Sequence, residues 1–201
     1  IDGVGPAVDW LVEMNRFDQD TLFDRLAARG ALDETLIVDL IAALAAFHRA
    51  AERRSDAFGA NDFRRELEGN ATELKRYVPA IFDCAAVEQL DRESLATVAH
   101  HASVMEKRRS LGYVRHCHGD LHLKNVCLVG GRPRLFDAIE FSDRFANIDV
   151  LYDLAFLLMD LIYHDLGRLA CVALNQYLWR GNGIAGLSLL PVFFSCAAAI
   201  R

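Results

Sequence analysis

From residue 33 onward the chain runs in stretches where apolar residues recur every three or four positions. In DETLIVDLIAALAAFHRAAERR they fall at 36, 37, 40, 41, 44 and 47, the spacing that lines up one face of a helix. Asp33 stands where the first turn needs an acceptor for its free amides, and arginines gather at the other end. Just upstream, DQDTLFDRLAARG predicts a shorter helix, capped by Asp20 and stopped by Gly30. Residues 62–77 predict a third helix with Phe63, Leu67 and Leu74 inward, and residues 86–110 a fourth, ended by Gly112. Further helices are expected at roughly 149–163, 166–180 and 188–200. The opening AVDWLVEM, residues 7–14, reads as an edge strand or extended linker.

Between 113 and 137 the helical period disappears. YVRHC, VCLV and PRLFD each have the length and residue types of short strands, and Gly130-Gly131 makes a tight turn between the last two. HGDLHLKN, between the first two, is irregular. The expected fold class is therefore α+β, mainly α-helical, with one compact β-hairpin embedded after the fourth helix. A rigid helical base holding a short polar loop is a good way to position chemistry. Trp10, Trp179 and the C-terminal phenylalanines read as core, His48 as packing or surface, and His100-His101 as a solvated pair.

Composition narrows the function. Hydrophobic residues make up 53% and charged residues 25% of 201 positions, enough for a sizeable core. The net charge of −6 supplies no basic field for nucleic acid or anionic lipid. Five scattered cysteines with no CxxC pair argue against a disulfide framework and a structural zinc site, and for a reducing, cytoplasmic setting. LYDLAFLLMDLIYHDL is apolar but carries Asp153, Asp160 and Asp165, so it reads as a buried helix and not a membrane span. No signal peptide is visible. The lack of an initiator Met and the helical ending suggest a piece of a longer protein.

The chemistry concentrates in residues 116–125, HCHGDLHLKN. Asp120 lies in the loop, Asn125 follows it, and Asp137 ends the strand that pairs with the one leaving Asn125. The hairpin should bring Asn125 and Asp137 to one end. A carboxylate and an amide oxygen there suit Mg²⁺, with waters and phosphates completing its shell. Asp120 is then free to take a proton from an attacking hydroxyl. Together these are the parts of phosphoryl transfer. Asp149 and Asp153, one turn apart, are expected to cap their helix and hydrogen-bond the loop rather than enter the chemistry. Glu140 reads as a solvated carboxylate, and His122 leaves loop packing and a place near substrate equally open.

His118-Gly119-Asp120-Leu121-His122-x-x-Asn125 resembles the catalytic loop of the aminoglycoside phosphotransferase family, which shares the protein-kinase-like fold. Phe136-Asp137-Ala138-Ile139-Glu140-Phe141 resembles that family's metal-binding segment, and Ile148 to Ala155 the helix after it. The stretch 116–161 looks closest to the phosphotransferase-like half of bacterial proteins that also carry a P-loop ATPase domain. The resemblance implies an ATP- and Mg²⁺-dependent transfer to the hydroxyl of a small molecule. Asp120 would be the base, with His118 in the catalytic loop as its scaffold. Asn125 and Asp137 would hold the metal and, through it, the nucleotide. Residues 12–16, VEMNR, would be the hinge whose backbone meets adenine, placing Met14 at the cofactor. Residues 1–16 would be the hinge segment from an N-lobe that is missing here, and 17–201 a helical C-lobe holding the catalytic loop (116–125) and the metal segment (136–141). The expected partners are that N-lobe, a P-loop domain of the same polypeptide and the hydroxyl substrate. The sequence departs from protein kinases at Ala138-Ile139, where they carry Phe-Gly, and no Gly-rich loop is present.

Two other readings compete. His116, His118, Asp120 and His122 could gather a transition metal for hydrolysis, since alternate strand residues share a face. A non-catalytic kinase-like module that senses nucleotide or scaffolds a partner is the other.

Overall fold

Helix α2 (Glu34–Ala50) starts as the sequence indicates: Asp33 Oδ1 accepts the Leu36 amide at 2.9 Å, and Ile37, Leu40, Ile41, Leu44 and Ala45 are buried along one face. The structure, a computed structural model, describes residues 18–181 and 183–201. The expected hinge, with Met14 and Trp10, lies outside the described residues.

Ahead of α2 comes α1 (Phe23–Ala28), ended by Gly30 at φ +68°. Asp20 is not its cap. Asp18 accepts the Asp20 amide at 2.9 Å in a 3₁₀ turn, Gln19–Thr21, and Leu22 precedes α1 with no side-chain cap. Phe23 and Leu26 are the buried residues of α1. Helices α3 (Ala60–Lys75) and α4 (Cys84–Ser110) follow and pack on each other. Asp83 caps α4, and Gly112 at φ +79° turns the chain out of it.

The β structure is more divided than the single hairpin expected. Strand β1 (Val114–His116) does not join the hairpin β2 (Val126–Val129) and β3 (Arg132–Leu135). It pairs antiparallel with β4 (Asn147–Asp149), reached through a short helix α5 (Asp143–Ala146), with Val114 opposite Asp149. A three-residue strand is too short to show an alternation, so β4 leaves no trace in the sequence. The other edge of β1 is held by Glu52 and Arg54: His116 N donates to Glu52 O at 2.9 Å, and Arg54 N to Val114 O at 3.0 Å.

Helix α6 (Val150–Tyr163) runs through the centre and is buried without a break from Val150 to Leu161. Helices α7 (Gly167–Trp179) and α8 (Leu190–Ile200) pack against it. Phe58, Phe63, Tyr152, Phe156 and Phe193 form one aromatic cluster around it, with ring centroids from 5.1 Å apart. Trp179 is not core but 88% exposed. It lies two residues past the buried Tyr177, about 200° round the helix. His48 is fully buried, its Nδ1 2.6 Å from Tyr177 Oη and its Nε2 2.9 Å from Asp153. Arg108, on α4, is buried too and makes two bonds to Asp149, Nε to Oδ2 at 2.7 Å and Nη2 to Oδ1 at 2.8 Å. No described helix is long and apolar enough to cross a membrane.

Candidate active site

The polar loop is fixed from below by α6. Asp153 Oδ1 accepts the Gly119 amide at 2.8 Å and its Oδ2 the His118 amide at 3.2 Å. Two turns on, Asp160 Oδ2 accepts the Leu123 amide at 2.7 Å. Both carboxylates are completely buried. Burial pushes the Asp153 carboxyl up, but the hydrogen bond from His48, the neighbouring imidazoles and the Gly119 amide override it and hold it below the ordinary range. Asp160 is ion-paired with Arg201, and His164 lies 3.8 Å away. Asp149 caps α6 by accepting the Leu151 amide at 2.8 Å. Capping and loop support are the two duties the sequence assigned to Asp149 and Asp153.

The top of the loop is tied to the segment after β3. His118 is buried, and its Nε2 donates to Phe136 O at 2.8 Å, while its Nδ1 faces the Asp120 amide at 3.4 Å. Ile139 N donates back to His118 O at 2.9 Å, and Phe136 N to Asn125 O at 3.1 Å. Asp137 therefore sits on a short span whose two flanks are bonded to the loop that holds Asp120 and Asn125. It is exposed and takes φ +59°, a conformation uncommon for any residue but glycine, in which Asp is among those tolerated. Gly119 is required where it stands. Its φ is +82°, and a Cβ there would lie 2.7 Å from Phe145 O.

Asn125 is buried, and its Nδ2 donates to Asp120 O at 2.9 Å and Asp120 Oδ2 at 3.3 Å. Among the described residues its side-chain hydrogen bonds run through the nitrogen, and the amide oxygen takes part in none of them. Asp120 is about half exposed, with its Oδ2 3.2 Å from His122 Nε2. The hydrogen bond from His122 holds its carboxyl below the ordinary range, against the opposing effect of partial burial. Asp120 and Gly119 line a cleft of about 370 Å³ that also meets Glu66, Asn70, Ile139 and Phe145. An anionic carboxylate at the wall of a cleft of that size can take a proton from a bound small molecule.

The four-ligand metal reading fails on geometry. His116 Nδ1 is engaged by Asn147 Oδ1 at 3.1 Å, and both ring nitrogens of His118 face loop backbone. Among the described residues, the one group of three potential ligands that converge is His48, Cys117 and Asp153. That group is buried under the loop, and its His and Asp are already bonded to each other, to Tyr177 and to the loop amides.

A sequence model of the phosphotransferase enzyme family (APH) matches residues 14–189. The chain belongs to the phosphotransferase enzyme family. It is also 25% identical over 203 aligned residues to uncharacterized protein Rv2004c of Mycobacterium tuberculosis and uncharacterized protein Mb2027c of Mycobacterium bovis, covering all of this chain and 41% of each relative. The chain thus spans less than half the length of the curated relatives it matches. No solved structure matches it significantly.

The side chains that the loop and the span after β3 offer here, Asn125, Asp120 and Asp137, carry hard oxygen atoms. That chemistry fits Mg²⁺ and not a softer metal. Several residues around the site were not singled out from sequence. His48 and Arg108 are brought in by contacts between distant helices. Asp160 did leave a signal, because it lies seven residues after Asp153 on an otherwise apolar helix, which puts both on one face.

Proposed function

We propose that this chain is the C-lobe of an ATP- and Mg²⁺-dependent kinase that phosphorylates a hydroxyl of a small molecule. The observation that carries the reading is the junction at Asp120. Its carboxylate opens on a cleft, Asn125 is bonded to it, and the span holding Asp137 is bonded to both ends of the same loop. The acceptor oxygen attacks the γ-phosphorus, its proton passes to Asp120, and the bond from the γ-phosphorus to the bridging oxygen of ADP breaks. Asn125 and Asp137 would hold Mg²⁺, which when bound offsets the phosphate charge. His118 keeps Asp120 in place through the loop backbone. The family match supports phosphotransfer in general.

The greater length of the relatives leaves room for the N-lobe that would cover the nucleotide and for the P-loop domain expected of such proteins. Five free cysteines suit a cytoplasmic protein.

The test is transfer from Mg·ATP to a library of hydroxyl compounds by the complete polypeptide. Asp120→Asn should cut turnover about 10²–10⁴-fold, and undiminished transfer would remove Asp120 from the mechanism. The 201-residue chain alone should bind ATP weakly and transfer negligibly.

A further inference from the structure

The cleft at Asp120 has a chemical character that bears on the acceptor. Ile139, Phe145, Ile148, Tyr152, Phe156 and Ile200 make most of its wall. Several polar atoms among them are engaged within the protein. Tyr152 Oη donates to Cys196 Sγ at 3.1 Å, and Asn70 Nδ2 reaches the same sulfur at 3.2 Å. Glu66 faces Arg144 at 3.5 Å, and burial pushes its carboxyl up. Asp120, about half exposed, is the carboxylate placed to meet an incoming hydroxyl.

The acids nearby are matched as well. A neighbouring hollow of about 220 Å³ shares Glu66 and adds Asp56 and Asp62. Asp56 is bonded by Arg54 and Asp62 by Arg65, both at 3.3 Å. On that side each of these carboxylates already has an arginine against it.

We infer that the acceptor is an alcohol with an apolar, ring-sized body, and neither a polycation nor a bare polyol. This rests on the phosphotransferase reading and names the substrate class of the same site. The hydroxyl lies at Asp120, and the body lies against Phe145, Ile139 and Phe156. A volume of about 370 Å³ is near the lower end of small-molecule sites, which run from about 300 to 1,000 Å³. It therefore takes one ring system with a short side chain. Burying that surface against aromatic and branched side chains supplies most of the affinity.

Ligand-observed NMR titration of the complete polypeptide without nucleotide tests this, using 2-phenylethanol, glucose and the polycationic aminosugar neamine as probes. 2-Phenylethanol should bind at least about tenfold tighter than the other two. Phe145→Ser, on a short and partly exposed helix, should weaken that binding about fivefold or more without altering thermal unfolding. Ile139→Asp should do the same from the other wall, so the test does not depend on one variant folding. Tighter binding of neamine or glucose overturns the inference, as does unchanged 2-phenylethanol binding in both variants. The two readings fail separately. Aromatic binding with no phosphate transfer in the complete polypeptide sinks the kinase and leaves the cleft assignment standing. Transfer to sugars or polyamines with no aromatic preference does the reverse.

Discussion

Asp153 and Asp160 lie two turns apart on one face of α6, and each accepts backbone amides of the same loop, Asp153 at His118 and Gly119 and Asp160 at Leu123. The helix therefore holds the loop at both ends, and Asp120 stands between the two anchors. Each carboxylate is buried beside a basic group, His48 for Asp153 and Arg201 for Asp160. Replacing one with leucine orphans the loop amide and the basic partner together. Asp160→Leu should cost about 3–5 kcal/mol in urea unfolding, and Asp160→Asn less, because the amide oxygen still accepts from Leu123. An Asp160→Leu protein as stable as the parent would show that the loop does not depend on this anchor.

Much of this support could be seen in the sequence because it is local. Asp33 and Asp149 cap the helices they precede, Gly30 and Gly112 end helices with positive φ, and the GG turn folds β2 onto β3. Those features depend on neighbours in the chain. The pairing of β1 with β4, the burial of His48 against Tyr177 and the Arg108 bonds to Asp149 join residues 31 to 129 positions apart. Such contacts follow from how helices pack, which no short pattern encodes. The candidate site could be nominated for a related reason. Asp120 and Asn125 share one loop, and Asp137 lies just past the hairpin that follows, on a span whose flanks are bonded to that loop.

Arg108 with Asp149 makes a second sharp stability test. Both are buried, and the guanidinium also lies 4.2 Å from the centre of the Tyr113 ring. Arg108→Met leaves an anion in the core at a cost of about 3–5 kcal/mol. Adding Asp149→Asn to Arg108→Met removes that orphaned charge, so the double variant should be more stable than Arg108→Met alone. Additive losses in chemical denaturation would mean the two residues do not act as a pair.

The acid limb of activity should respond to His122. The hydrogen bond from His122 is the leading cause that holds the Asp120 carboxyl low. A base with a lowered pKa stays anionic to lower pH, so as the proposed base Asp120 would stay competent to lower pH than an ordinary carboxyl. Removing the imidazole with His122→Leu lets that pKa rise, and the rate should then begin to fall at a higher pH than in the parent. Above about pH 6 the two should run parallel, because a carboxyl near its ordinary value is ionised there in both. Profiles of kcat/KM against pH for the complete polypeptide check this. Superimposable acid limbs would show that His122 does not set the charge of Asp120.

Asp137 should separate stability from function. It holds φ +59°, a region where glycine carries no steric penalty, and its side chain is exposed. Asp137→Gly relieves the backbone and loses no packing, while the added freedom of the unfolded chain works the other way. The net change in unfolding free energy should stay within about 1 kcal/mol of zero. Mg²⁺-dependent nucleotide binding by the complete polypeptide should nevertheless collapse, because in the proposed site the carboxylate would supply one of the two protein side chains that hold the metal. Asp137→Asn keeps the shape and supplies a weaker, neutral oxygen, so it should fall between the two in binding. If Asp137→Gly binds Mg·ATP as the parent does, the metal is held elsewhere and Asp137 is simply a turn residue.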